Sequence, residues 1–380
     1  MNSTDQMELF VVCSSGLEEL VQKEMEELGV KVVRQGHRGV YVTGTLRDLY
    51  RINYCSRLAS RVLLPLKEER CAGKEELYRL GMQIDWTKYM TPDQTFAIDC
   101  NGYHPEFSNK LYAAQVLKDA LCDQMREKYG RRPSVDTARP NVQLNLHLHE
   151  HRVTVSVDTS GQPLHKRGYR KITGPAPLQE TMAAALLTMA GYDGKQTFLD
   201  PCCGSGTLLV EAAMIATRTP PGYLRRHWGF FALPFHNDFL WKEVRIQVNK
   251  GRRVLQDGKI SGMEISPRVL QECKANLRSA GFEDGVHLIQ GDFDQLEPKF
   301  PPNLVLCNPP HGRRLGEERA LIPFYGKIGD FLKRKVEKPG KGFIFTSSPL
   351  LSRKVGLRSQ RRHVVSNCGV ESRLLEFDLY

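Results

Sequence analysis

Between residues 196 and 347 short apolar runs alternate with stretches of helical periodicity, and several of those runs end on a residue able to do chemistry. The alternation predicts strands over 196–200, 261–265, 286–292, 303–308 and 342–347, with helices over 208–217, 267–280 and 324–336. Pro267 suits a first helical turn, because its missing N–H has no partner there anyway. Repeated strand–helix units bury their apolar faces as a parallel, doubly wound sheet with helices on both sides. Two further strands, 363–367 and 372–379, read as a hairpin that makes one edge antiparallel. In an open sheet of this kind ligands bind beyond the carboxyl ends of the strands. The residues at those ends are therefore the candidates for a site.

The first end carries Asp200-Pro201-Cys202-Cys203-Gly204-Ser205-Gly206-Thr207. Gly204 and Gly206 allow close backbone approach, and a helix N-terminus favours an anionic group. Alone, such a loop serves a dinucleotide, a phosphate or a tight turn equally well. The second end carries Glu264, placed to accept hydrogen bonds from ribose hydroxyls or to cap at Ser266. It lies 58 residues beyond Gly206, where about 20 is usual, so 218–258 reads as a basic, aromatic insertion. The third carries Asp292, an acceptor for an adenine amino group or a plain turn residue.

The fourth end, Cys307-Asn308-Pro309-Pro310-His311-Gly312, constrains the chemistry most. An exocyclic amino group on a base is a poor nucleophile, because its lone pair is delocalised into the ring. The Asn308 side-chain oxygen and the Pro309 carbonyl can each accept one amino hydrogen and steer that lone pair. The two prolines stiffen the loop, which preserves a reactive geometry. His311 can stack on a flipped-out base. Asn-Pro-Pro is also an ordinary loop sequence; its place after three other motifs on successive strands is what makes it a site.

Upstream, strands are predicted over 8–13, 31–35, 39–43 and 61–66, with helices over 16–28 and 46–54, as in a small α+β domain. A second such unit has strands over 96–101, 142–148 and 152–157 and a long helix from an N-cap at Ser108 to about residue 130. His147 and His149 face away from its apolar residues and receive no role.

The chain of 380 residues has a net charge of +11, which fits a polyanionic partner. Residues 311–363 hold fourteen Lys or Arg against four Asp or Glu. Lys166, Arg167, Tyr169 and Arg170 form one basic and aromatic cluster, Arg225 and Arg226 lie in another with Trp228, Phe230 and Phe231, and Arg313 and Arg314 follow the Asn308 loop. Such mixing suits phosphate contact and base stacking, although any single cluster also reads as a solvated face. Ten cysteines without a CxxC pair or zinc-ligand spacing predict reduced thiols, no metal and a cytoplasmic protein. There is no signal sequence and no apolar run long enough for a membrane span.

Together these motifs resemble a THUMP-containing family of class I guanine-N2 RNA methyltransferases, in its bacterial large-subunit rRNA branch. The resemblance rests on Asp158-Thr-Ser-Gly161, Leu164-His-Lys-Arg-Gly-Tyr-Arg170, Ala176-Pro-Leu-Gln-Glu180 and the Asp200 loop, and it spans the whole chain. It implies an α/β fold: a Rossmann-like methyltransferase sheet over 162–380, mostly parallel with an antiparallel C-terminal strand. Ahead of it come α+β domains, ferredoxin-like over 1–66 and an RNA-binding THUMP domain over 67–161. It implies S-adenosylmethionine as cofactor, with Asp200, Pro201, Cys202, Gly204, Gly206 and Thr207 on its methionine side, Glu264 on its ribose and Asp292 on its adenine. Asn308, Pro309, Pro310 and His311 would handle the target base. The family usually has Tyr or Phe where His311 stands. Some relatives carry a second methyltransferase half; with the chain ending at Tyr380, a single activity is expected. Transfer to tRNA, transfer to adenine N6 and a non-catalytic RNA-binding assembly role remain the competing readings.

Overall fold

The computed structural model describes residues 5–171, 178–310 and 315–380. The His311 loop residues, with Arg313 and Arg314, lie outside the described residues. In chain order the first elements are β1 (Met7–Val12), α1 (Glu18–Glu27), β2 (Lys31–Gly36), β3 (Gly39–Gly44), α2 (Leu46–Cys55), β4 (Arg61–Arg70), α3 (Lys74–Gln83), β5 (Thr95–Tyr103), α4 (Lys110–Tyr129), β6 (Ser134–Val135), β7 (Val142–His149) and β8 (Arg152–Asp158). The remainder are α5 (Glu180–Met189), β9 (Phe198–Asp200), α6 (Thr207–Ala216), α7 (Asp238–Asn249), β10 (Ile260–Glu264), α8 (Pro267–Ala280), β11 (Val286–Gln290), β12 (Leu304–Cys307), α9 (Leu315–Ala320), α10 (Ile322–Lys335), β13 (Gly340–Thr346), α11 (Pro349–Ser352), β14 (Arg361–Asn367) and β15 (Val370–Leu379). The chain forms two compact units. One comprises Met1–Cys13, Val21–Leu164 and Arg225–Ile246, the other Ser14–Leu20, His165–Leu224 and Gln247–Tyr380.

In the first unit one eight-stranded sheet, ordered β2-β3-β1-β4-β8-β7-β5-β6, runs through both N-terminal segments. Strand β4 joins them. Residues 61–63 pair with β1, and residues 63–70 run along β8 with a bulge between Pro65 and Lys67. Proline, which cannot donate to a ladder, is tolerated at such a bulge. The long helix starts one residue later than expected: Asn109 is the N-cap, its side chain accepting from the Leu111 N–H at 2.9 Å. Asparagine caps as well as serine.

The turn after β8 is a buried polar knot. Asp158 Oδ1 accepts the N–H groups of Ser160 (2.9 Å) and Gly161 (3.2 Å), and Arg61 pairs with the same carboxylate. Asn53 on α2 donates to Thr159 Oγ1 at 2.9 Å and accepts from Ser160 Oγ at 2.7 Å. A Cβ on Gly229 would stand 2.4 Å from the Asp158 carbonyl oxygen, so the 225–246 segment can pass there only as glycine.

By its contacts that segment groups with the first unit. Of its aromatic residues expected as base-stacking faces, Trp228 and Phe230 are core, while Phe231 is exposed. Trp228, Phe230 and Trp241 are buried, and Trp241 meets Tyr54 and Tyr50 edge-on at 5.5 and 5.7 Å. Tyr50 Oη closes the cluster, accepting from the Asn237 N–H and facing His236 Nδ1, each at 2.8 Å.

The second unit carries a seven-stranded sheet ordered β11-β10-β9-β12-β13-β15-β14. Strands β9 to β13 are parallel, and β15 runs antiparallel between β13 and β14. This is the expected mostly parallel sheet with an antiparallel C-terminal edge. Strands β9 and β12 are buried throughout, as a sheet covered on both faces requires. The helix expected over 267–280 forms at those residues, capped by Ser266 and stopped by left-handed Gly281. Strand order reverses between β9 and β12, which opens a crevice beyond their carboxyl ends.

Truncating Trp241 to alanine should leave a cavity among the five aromatic rings it meets and destabilise the first unit by about 3–5 kcal/mol. Chemical denaturation of the variant checks this. An unchanged midpoint would mean that the cluster is not a core.

Candidate active site

Asp200 is the last residue of β9, and Asn308 follows the last residue of β12. The reversal of strand order therefore places the Asp200 loop and the Asn308 loop on either side of one crevice. Asp200 is 2% exposed, and its Oδ1 accepts the Cys202 N–H at 3.0 Å, which tightens the turn out of the strand. Gly204 and Gly206 follow at φ +52° and +83°, conformations that a side chain would strain. A Cβ on Gly206 would come within 2.5 Å of Cys273 Sγ, so glycine is required there for space as well.

Glu264 ends β10 and holds the loop from the neighbouring strand. Its Oε2 accepts the Gly204 N–H at 3.1 Å and its Oε1 the Ser266 N–H at 2.9 Å. A carboxylate has about four acceptor positions, so two remain for hydroxyl groups. Asp292 lies beyond β11, half-buried. Its Oδ1 takes the Asp294 N–H at 3.1 Å, and Lys327 stands 3.7 Å from its Oδ2.

Burial pushes the Asp200 carboxyl up to about 8; the Cys202 N–H pulls it down and the nearby Glu264 charge pushes it up again. Among the described residues neither Asp200 nor Glu264 is in an ion pair. Two carboxylates at adjacent strand ends without a cation suit a positively charged ligand. On the other side of the crevice, Asn308 Oδ1 is buried and has no hydrogen-bond partner among the described residues. A buried acceptor left empty marks either strain or a place for a donor that arrives from outside. Pro309 beside it is buried and Pro310 exposed.

Comparison with known proteins shows the family. The family model of the RMKL-like methyltransferase domain matches residues 167–374, that of the THUMP domain 71–158, and that of the RlmL ferredoxin-like domain 8–63. The chain belongs to the RMKL-like methyltransferase family. It is 36% identical to the "Putative RNA methyltransferase slr0064" of Synechocystis, over 98% of this chain and 96% of that protein. It is also 36% identical to the ribosomal RNA large subunit methyltransferase K/L of Methylococcus capsulatus over 98% of this chain, which spans 51% of that protein. The crystal structure of "SMU.472, a putative methyltransferase complexed with SAH" superposes with a TM-score of 0.89 at 25% identity, over 100% of this chain and 99% of that one.

As a member of this family the chain is a methyltransferase, and its strand-end motifs stand at the carboxyl ends of neighbouring strands. The basic residues expected to meet RNA fare differently. Lys166 and Arg226 are exposed. Arg167 is 1% exposed, with its Nε 3.5 Å from Glu211 Oε1; Tyr169, equally buried, donates to the same oxygen at 3.1 Å. Arg225 donates to the carbonyls of Ser160, Gln162 and Pro163 and lies 4.6 Å over the Trp228 ring. Arg170 is turned onto the Asp200 loop and its surroundings. Arg167, Tyr169, Arg170 and Arg225 are thus built into the fold rather than displayed. The sequence held one signal of this: Glu211, a lone acid in the otherwise apolar α6, needs a buried cation beside it.

A carboxyl whose folded value lies above its ordinary 3.8 binds its proton more tightly in the folded protein, so rising pH takes stability away between 3.8 and about 8. Asp200→Asn, which keeps the acceptor for the Cys202 N–H, should remove that part of the decline. Melting temperatures of ligand-free wild type and variant should diverge in the variant's favour from pH 6 to 8. Parallel curves would show that Asp200 is not held protonated.

Proposed function

We propose that this chain is an S-adenosylmethionine-dependent RNA methyltransferase that modifies the exocyclic N2 amino group of a guanine in large-subunit ribosomal RNA. The observation that carries the reading is the buried Asn308 Oδ1, without a hydrogen-bond partner among the described residues, across the strand-order reversal from an acidic glycine loop. Asp200, Pro201, Cys202, Gly204, Gly206 and Thr207 fit the methionine end of the cofactor, where its ammonium meets the carboxyl groups of Asp200 and Glu264, which have no cation partner among the described residues. Glu264 has acceptor capacity left for ribose hydroxyls, and Asp292 for the adenine amino group. When bound, the cofactor supplies an electrophilic sulfonium methyl.

The chain's own part is positioning. Asn308 Oδ1 and the Pro309 carbonyl each accept one hydrogen of the amino group, which fixes the plane of the base and frees the nitrogen lone pair to point along one direction. The prolines keep that pair of acceptors stiff, so little reorganisation is left for the reactive moment. The THUMP match and the K/L relatives support RNA, and large-subunit RNA in particular. The choice of guanine rests on the family resemblance carried by residues 158–180 and the Asp200 loop.

Methyl transfer from labelled cofactor to large-subunit rRNA, tRNA and duplex DNA, followed by nucleoside analysis, tests the whole reading. N2-methylguanosine in rRNA is expected. Label in tRNA would move the substrate, N6-methyladenine would overturn the base, and cofactor binding without transfer to any of the three would point to an assembly factor. Asn308→Ala should lower turnover about 10²–10³-fold, the usual effect of losing one preorganised group, while cofactor affinity stays within about twofold. Near-normal turnover in that variant would sink the amino-group mechanism.

A further inference from the structure

A glycine loop cannot hold itself. Around Gly204 a Cβ would find nothing within 4 Å, and Gly206 has no side chain to anchor the start of α6. Something outside the loop has to fix residues 204–207, and Arg170 reaches them. Its Nη2 donates to Thr207 Oγ1 at 2.9 Å and to the Leu178 carbonyl at 3.1 Å, and its Nη1 to Ser205 Oγ at 3.4 Å. Its Nε donates to Glu180 Oε1 at 2.9 Å, and the two side chains are 13% and 6% exposed. One planar guanidinium thus ties both neighbours of Gly206 to the first turn of α5.

A second strut comes from the next residue. The Lys171 N–H donates to Asn276 Oδ1 at 3.0 Å, and Asn276 Nδ2 donates to the Ser205 carbonyl at 3.0 Å. Asn276 is buried on α8. The segment 170–171 therefore grips the loop through a side chain at Thr207 and Ser205 and through its backbone at Asn276.

We propose that Arg170, with Glu180 and Asn276, is a clamp that holds the glycine loop in its cofactor-binding conformation, making Arg170 a positioning residue for the cofactor rather than a contact for RNA. The proposal rests on the assignment of this loop to S-adenosylmethionine. A loosened loop samples the binding conformation only part of the time, and apparent affinity falls by that fraction. Once the cofactor saturates, the loop is ordered and the chemistry proceeds as before. The clamp is therefore expected to act on cofactor affinity and KM, and only weakly on kcat.

Arg170→Lys keeps the charge but loses the planar fork that spans Ser205, Thr207 and Glu180. Asn276→Ala removes the second strut without touching a buried charge, so it keeps the test open if the arginine variant fails to fold. Calorimetry with S-adenosylmethionine and steady-state methylation of a large-subunit rRNA transcript give the readouts. Each variant should raise the dissociation constant and KM for the cofactor about tenfold, with kcat at saturation within about twofold. RNA affinity and its salt dependence should match wild type. If Arg170→Lys instead weakens RNA binding and reduces the salt slope by about one, with cofactor affinity unchanged, Arg170 is a phosphate contact and the clamp is wrong. A fall in kcat at saturating cofactor equal to the fall in kcat/KM would also overturn it. Wild-type binding of the cofactor with both variants equal to wild type would overturn the clamp alone. A wild-type protein that binds no S-adenosylmethionine would overturn the cofactor reading, and the clamp with it.

Discussion

A parallel sheet built from strand–helix units opens a crevice only where its strand order reverses, and here the reversal falls between β9 and β12. Everything chemical in the second unit follows from that constraint. β9 delivers Asp200 and the glycine loop to one lip, and β12 delivers Asn308 to the other. β10, paired with β9, brings Glu264 close enough to take the Gly204 N–H. Moving the reversal by one strand would separate the acidic loop from the empty acceptor, and neither would have a use. The fold thus supplies proximity, and the residues at the strand ends supply polarity: among the described residues, acid without a cation on one side and an acceptor without a donor on the other.

The same elements explain what a linear reading captured. Parallel strands buried on both faces are short and wholly apolar, and the helices between them carry period and caps, so 260–280 and the C-terminal hairpin could be placed to within a few residues. Ser266, Pro267 and Gly281 specify α8 from both ends before any tertiary contact forms. What escaped were elements whose information is not periodic. Residues 180–187 of α5 are all buried, Glu180 and Thr181 included, and a helix of that kind has no apolar stripe to detect. The eight-stranded sheet was invisible because its join is a matter of which strands flank β4, β1 on one side and β8 on the other, and long-range pairing leaves no periodic trace in the sequence.

The misread basic residues share one physical cause. Charge in a sequence is read as exposure, since an isolated buried charge costs several kcal/mol after relaxation. The chain offsets that cost by supplying partners: Glu180 for Arg170 ten residues on, and from farther away Glu211 for Arg167, Asp158 for Arg61 and three backbone carbonyls for Arg225. Of these, the Arg225 contacts cross from one segment of the first unit to another. Arg225 ties the 225–246 segment to the turn after β8, and Arg170 ties the start of the second unit's chain to its glycine loop. The motifs most characteristic of the family resemblance, 158–161 and 164–170, are therefore largely fastenings.

Those fastenings also separate the two demands on the second unit. Binding a cationic cofactor requires an uncompensated acidic pocket, and an uncompensated acid is unfavourable in a folded protein; Asp200, pushed up to about 8, shows the tension directly. A loop that carries such a group and two left-handed glycines would relax toward solvent if nothing restrained it. Arg170 and Asn276 restrain it through Ser205 and Thr207 rather than through Asp200 or Glu264, so the loop is held without its acids being neutralised. A cation paired directly with Asp200 would have stabilised the fold more and removed the reason for the cofactor to bind.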